Sequence, residues 1–343
     1  MNSLILFIGV TFILWLGSSL FIPLLIAAFL WYLINATATY YRKLLPAAEN
    51  HLCLSGTFKV LANIMSVLTF AGLLYLFVTR VRPMFSELLA VMPHIQNQLD
   101  TLWTFVSNKI GVNLAVDTLP SLNTIIANVG SSIAKIATSM GMVIVYMIFM
   151  FVEQSTFHRK FAVLFPNKNQ HKKIRYILHS IDENMKKYLF MKTLLSCITG
   201  LLSYFWMYTL GLEFAGVWAF VIFILSYIPT IGAIISCALP ILFSFVSFET
   251  INQPVLIAVG LIGLQIVFGN ILEPKLTGKT LNLSTLAILI NLVFWGLLWG
   301  VAGMFFSVPL LVATFIITAQ FDSTRWIAIL LSADGKIPDK NGD

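Results

Sequence analysis

Residues 265–309 read QIVFGNILEPKLTGKTLNLSTLAILINLVFWGLLWGVAGMFFSVP. A polar island, Gly269 to Asn282, stands between two long apolar runs and carries Glu273, Pro274 and Lys275 in succession. Gly269, Pro274 and Gly278 interrupt any helix here, which releases backbone amides and carbonyls where a carboxylate, an ammonium, Asn and Thr are gathered. Surrounded by hydrocarbon, such groups need water or protein partners, so the island reads as a lining or a gate. Farther on, Gly300, Gly303 and Pro309 interrupt the second apolar run.

The surroundings are membrane-like. The chain of 343 residues is 59% hydrophobic and 10% charged, against roughly 45–50% and about 25% in soluble domains. Apolar runs occupy 3–34, 60–79, 136–152, 193–212, 214–248, 254–272 and 281–321, and several exceed the roughly 20 residues of a single crossing. The longest must fold back, with bends at Gly17-Ser18-Ser19, Pro229 to Gly232 and Gly296 to Gly300. The fold class is therefore all-α, a polytopic membrane protein of about eight to ten segments, with discontinuous or re-entrant helices in the C-terminal half.

Net charge is +7, but the basic residues sort by side rather than forming a nucleic-acid patch. With the loop from Glu153 to Lys192 inside, all but Arg80, Arg82, Lys109 and Lys135 of the 21 Lys and Arg fall on the cytoplasmic side. Both termini are then cytoplasmic. The organisation expected is an N-terminal membrane hairpin and basic loop (1–59), third and fourth spans with amphipathic extracytoplasmic helices (60–152), a basic amphipathic helix along anionic headgroups (153–192), a transport region (193–321) and a cytoplasmic tail (322–343). A single tilted helix over 4–34 is the alternative to the hairpin, and it would place the N-terminus outside. Cys53, Cys197 and Cys237 have no metal spacing and are expected as small buried apolar residues.

Catalytic apparatus is missing from the sequence. It contains no H-E-x-x-H, no G-x-S-x-G, no Walker or dinucleotide glycine pattern and no Asp within an apolar span. No enzyme, cofactor or metal site is expected. Transport asks only for a path, polar contacts and a mobile element. Glu273 and Lys275 are the ionisable pair beside a helix break, and Asn270, Thr277, Asn282, Ser284 and Thr285 offer neutral groups for a polar solute or for interhelical hydrogen bonds. Pro229, Gly232, Pro274, Gly278, Gly300, Gly303 and Pro309 are the expected breaks. Around Pro229 two readings compete, a plain turn and a discontinuous helix facing a substrate path. Glu273, followed by Glu153, is the carboxylate best placed for proton coupling.

Three segments carry a family resemblance: SYIPTIGAIISCALP (226–240), GNILEPKLTGKTLNL (269–283) and WGVAGMFFSVPL (299–310). In order and spacing they resemble the autoinducer-2 exporter family of bacterial membrane proteins, the PerM-like permeases, from about Lys187 to Ala319. Asn270, Glu273, Pro274, Lys275 and Gly278 match its polar motif. Pro229 and Gly232 match its first break, and Gly300, Gly303 and Pro309 its last. Ser284-Thr285 stands where family members often carry His-Pro, and Thr230 where an aromatic is common. The resemblance implies a homo-oligomeric secondary carrier in the bacterial inner membrane, linked in some members to autoinducer-2 export and in others to cation and proton exchange. The expectation is export of a small polar solute by alternating access, with protons or sodium as coupling ions. The alternatives are a sodium or potassium/proton antiporter and a non-transporting scaffold.

Overall fold

A computed structural model describes residues 2–44, 55–76, isolated positions between 79 and 90, 139–164, 168–273, 275–276 and 282–337. The expected extracytoplasmic amphipathic helices, Cys53, and Pro274, Thr277 and Gly278 of the island lie outside the described residues. What is described is helical: α1 Asn2–Leu16, α2 Ser18–Leu44, α3 Ser55–Leu76, α4 Met140–Leu164, α5 Lys168–Thr209, α6 Ala215–Leu225, α7 Ile231–Ser247, α8 Asn252–Gln265, a π-helical segment Ile266–Leu272, α9 Thr285–Ala319 and α10 Arg325–Leu331. Four stretches, Ser18–Thr39, Lys172–Thr209, Asn252–Leu272 and Thr285–Ala319, are long and apolar enough to cross a membrane. Large apolar side chains stay exposed along them, Leu297 at 81%, as lipid-facing positions do because the bilayer takes the place of a protein neighbour.

The chain divides into two compact units. Unit 1 comprises 1–72, 136–193 and 274–343. Its core joins Leu33 of α2, Ile177, Met185, Tyr188 and Leu189 of α5, and Val308, Val312 and Ile316 of α9. A single residue, Gly17, separates α1 from α2, and its carbonyl accepts from the amides of Leu20 and Phe21 at 2.9 Å each.

The basic segment 153–192 does not form a helix of its own. Residues 153–164 finish α4, where Glu153 pairs with Lys160 on an exposed surface. Residues 168–192 run without interruption into the apolar part of α5. No Pro or Gly occurs between Lys168 and Cys197 to stop the helix. In consequence Lys192 is drawn inside and is only 2% exposed. Lys173, near the basic start of α5, lies 4.5 Å from the ring centre of Phe321, a cation–π contact.

Although α9 spans 35 residues, it is a hairpin. Gly300 has φ 62° and ψ −141°, which no helix accommodates. Across the bend Asn291 Nδ2 donates to the Ser307 carbonyl at 2.6 Å, although the two are 16 residues apart, which a straight helix would separate by about 24 Å. The limbs meet closely: a Cβ on Gly303 would lie 1.9 Å from the Trp295 carbonyl oxygen. At the apex, Trp299 Nε1 donates to the Leu14 carbonyl at 2.9 Å.

Unit 2 comprises 73–135 and 194–273. Thr209 ends α5, and Gly211 (φ 78°) closes it as Leu212 N–H reaches back to Met207 O at 3.0 Å and Gly211 N–H to Tyr208 O at 3.1 Å. This is a Schellman turn, with glycine in its left-handed position. After α6 the chain turns through 226–230, where Thr230 has φ 56° and Ile231 N–H bonds Pro229 O at 2.6 Å. Gly232 opens α7, and a Cβ there would lie 1.9 Å from the Leu225 carbonyl oxygen, so only glycine fits. Packing of α7 on α8 brings Cys237 Sγ to 3.7 Å from the Leu261 carbonyl. That cysteine is buried as expected, whereas Cys197 is exposed on α5.

Two substitutions test the α9 hairpin. Gly303→Ala should lower stability by about 1–3 kcal/mol through overpacking against the Trp295 carbonyl, and Asn291→Leu should cost about 0.6–1.7 kcal/mol, the range of interhelical membrane hydrogen bonds. Both are read by thermal unfolding of purified protein in detergent. Wild-type stability in both would mean that the limbs are not held together by these contacts.

Candidate functional site

The π-helical segment begins where α8 ends. Glu273 N–H donates to the Phe268 carbonyl, five residues back rather than four. Proline at position 274 has no amide proton for the Asn270 carbonyl, which makes a regular α-helix costly at this point. Short π segments of this kind recur at functional sites because the extra residue per turn re-aims side chains.

The re-aimed face of unit 2 forms a small polar cleft of about 10 Å³, near the size of one water-sized probe. Leu195, Ser196 and Thr199 of α5, Ser226 after α6, and Gln265, Phe268, Gly269 and Glu273 line it. Gly269 makes room for the Gln265 amide: a Cβ there would lie 2.7 Å from Gln265 Nε2. Thr199 Oγ1 donates to Leu195 O at 2.9 Å and Ser226 Oγ to Ile222 O at 2.6 Å. With their protons spent on the preceding helical turn, both hydroxyls present lone pairs. Ser196 Oγ and Gln265 Oε1 are buried and have no hydrogen-bond partner in the protein.

Of the residues singled out from sequence, Glu273 is half-buried in this cleft wall. Asn270 and Lys275 are exposed. Glu213 and Glu249 are exposed beyond helix ends, and Glu153 is already ion-paired with Lys160. The cleft adds Ser196 and Thr199, which sequence reading passed over. Their signal was present: Lys192, Ser196, Thr199 and Ser203 recur at three- and four-residue spacing along α5, and all four are buried, as one face of a helix requires.

Asn282 and Ser284 sit elsewhere, in unit 1, at a clip with the C-terminal tail. Leu283 and Ser332 form an isolated antiparallel bridge. Ser284 N–H donates to Leu331 O at 2.8 Å and Ala333 N–H to Asn282 O at 3.0 Å. Asn282 takes the left-handed conformation (φ 42°) and uses its amide on Asp334 Oδ1 at 2.7 Å and Lys336 O at 2.9 Å. Thr285 starts α9 and is exposed.

The Asn282 amide, then the Lys336 backbone N–H, hold the Asp334 carboxyl below its ordinary value. A depressed acid stabilises the clip fully above the ordinary Asp pKa of about 3.9 and loses that contribution as pH falls through the lowered value. Asn282→Ala should therefore lower the hydrogen-exchange protection factor of the Ala333 amide at neutral pH, and acidification through the lowered value should lower the wild-type protection factor, taken relative to the intrinsic rate at each pH. Protection unchanged in both cases would show that the tail is held by other contacts.

A family model described as AI-2E family transporter matches residues 4–323. The chain is 31% identical over 256 residues to the AI-2 transport protein TqsA of Escherichia coli strain K12, covering 72% of this chain and 73% of TqsA. A putative transport protein of Borreliella burgdorferi is 30% identical over 247 residues, 70% of this chain and 67% of its own. Over 133 residues, 39% of this chain and 38% of the relative, identity to the putative transport protein YhhT of E. coli K12 is 38%.

Proposed function

As the chain belongs to the AI-2E transporter family, we propose that it exports a small polar solute of the autoinducer-2 kind across the bacterial inner membrane by alternating access. The observation that carries this reading is the helix irregularity over Ile266–Leu272, which sets the half-buried Glu273 beside the buried polar atoms of Ser196 and Gln265. Secondary carriers bind their cargo where helices are interrupted, because released backbone groups and polar side chains there replace water. In this reading Glu273 contacts the solute, and Lys275 with Asn270 gates its approach. The turn at Pro229 and Gly232, with the irregularity before Pro274, gives the C-terminal region its mobile joints. The working unit is a homo-oligomer with both termini in the cytoplasm, driven by a proton or sodium gradient.

Family membership already places the chain among transporters, and the chemistry of transport needs no catalytic group. Proteoliposome counterflow of labelled autoinducer-2 tests the reading. Glu273→Gln should reduce exchange by an order of magnitude or more, about 1.4 kcal/mol per tenfold, while membrane insertion and thermal stability stay at wild-type levels. Undiminished exchange would remove Glu273 from the path. Exchange driven only by cation gradients, with no labelled solute moved, would favour the antiporter.

A further inference from the structure

The last helix among the described residues, α10 (Arg325–Leu331), reads RWIAILL and has two unlike faces. Ala328 is fully buried and packs with Phe315 and Ala319 of α9, and Leu331 leans on the same cluster. The other face is open. Trp326, Ile329 and Leu330 recur at three- and four-residue spacing and are 61%, 46% and 69% exposed, one stripe of a helix surface. Phe321, in the turn that leads into α10, adds an apolar ring 43% exposed. A segment read from its sequence as a tail in water thus shows four large apolar side chains within residues 321–330, the mark of a surface that something covers.

Position and charge identify the cover. The α9 hairpin brings both of its ends to one side, and the bridge between Leu283 and Ser332 ties the end of α10 to the start of α9. The short helix therefore lies where a membrane-length apolar helix comes to its end. Lys173 Nζ, 4.5 Å from the Phe321 ring centre, brings the basic start of α5 to the same place. Lys172 and Arg175 there are exposed, and Arg325 opens α10. Against these cations the stretch 319–331 holds one acid, Asp322.

We propose that α10 is an in-plane membrane anchor, with Trp326, Ile329 and Leu330 seated in the headgroup layer of the leaflet at the ends of α9 and Lys172, Lys173, Arg175 and Arg325 selecting anionic lipid there. Amphipathic helices of this kind sink their apolar face about 5–10 Å into the headgroup boundary. Tryptophan favours that layer because its ring is apolar and its N–H polar. Basic side chains beside it draw in anionic headgroups. A protein partner fits less well. At roughly 150–250 Å² for a whole aromatic side chain, four side chains exposed by 43–69% stay below the about 800 Å² per partner of a standard interface. The tail clip fixes the roll of α10, because Ser284 N–H holds Leu331 O at 2.8 Å, and the stripe stays turned away from α9. The anchor rests on the membrane setting of the family and not on the solute or its coupling ion.

The experiment uses the full chain in lipid vesicles, with Cys53→Ser, Cys197→Ser and Cys237→Ser as background and a nitroxide spin label on Ile329→Cys, on Leu330→Cys or, as a water-side reference, on Lys336→Cys. A label at 329 or 330 should meet oxygen severalfold more often, relative to a water-soluble nickel chelate, than the label at 336, because oxygen concentrates in hydrocarbon and the chelate stays in water. That contrast should be larger in phosphatidylcholine vesicles containing phosphatidylglycerol than in phosphatidylcholine alone, and joint Lys172→Gln, Lys173→Gln, Arg175→Gln and Arg325→Gln substitution should erase the difference between the lipids. Labels at 329 and 330 as open to the chelate as the one at 336 would leave the stripe in water, and spin–spin broadening that vanishes on dilution with unlabelled protein would put a second copy on it; either overturns the proposal. Equal contrast in the two lipids would overturn the selection of anionic lipid. Should the cysteine-free chain fail to fold, a photoactivatable phosphatidylglycerol crosslinked to the wild type decides the matter: adducts on 321–330 support the anchor, and adducts only elsewhere overturn it. Seated labels without counterflow of labelled autoinducer-2 would sink the export reading alone.

Discussion

Hydrocarbon offers no hydrogen bonds, so each backbone group released by a break in a membrane helix has to be met inside the protein. The irregular points of this chain are solutions to that constraint. At Gly300 the helix reverses, and the second limb comes back close enough for the Ser307 carbonyl to take the Asn291 amide. Between α6 and α7, Ile231 N–H turns back on Pro229 O, and glycine at 232 lets the next helix start against the Leu225 carbonyl. Ahead of Pro274 the ladder shifts by one residue instead of opening, and a π segment results.

Side chains obey the same rule. Hydroxyls on the membrane helices mostly donate to the carbonyl one turn earlier, as Thr37, Thr193, Thr199 and Thr314 do, and this removes them from competition for partners across helices. Against that background, Ser196 and Gln265 stand out because their oxygens remain without protein partners while buried. Both line a single cleft that also receives Glu273. Polarity kept in such a place is a cost to folding, and carriers bear that cost where cargo or ions bind.

Much of the fold was legible because composition and breakers act locally. Hydrophobic runs announced a membrane protein, and Gly300 and Pro229 announced interruptions whatever lay around them. The charge of the basic segment suggested a water-facing element, and where it ends was not legible in the sequence. No breaker separates it from the apolar part of α5, and the helix simply continues. Asn282 and Ser284 were legible as polar residues near an apolar run, but their partners lie some 50 residues later in the tail. Nothing in local spacing can announce a pairing over that distance.

By itself the sequence determined the membrane setting, the helical class and the transporter family, and of the expected breaks in the last apolar run only Gly300 leaves helical geometry, whereas Gly303 and Pro309 lie within the helix because their backbone stays helical. Tertiary structure decided which interruption becomes a hairpin, which becomes a π segment and which polar atoms are left over. Those outcomes depend on what packs against each break: the return of Ser307 to Asn291, and the approach of α5 and α6 to the end of α8. Glu273 could be picked out as an isolated carboxylate, but Ser196, Thr199, Ser226 and Gln265 join it only once three separate stretches of chain are brought to one place.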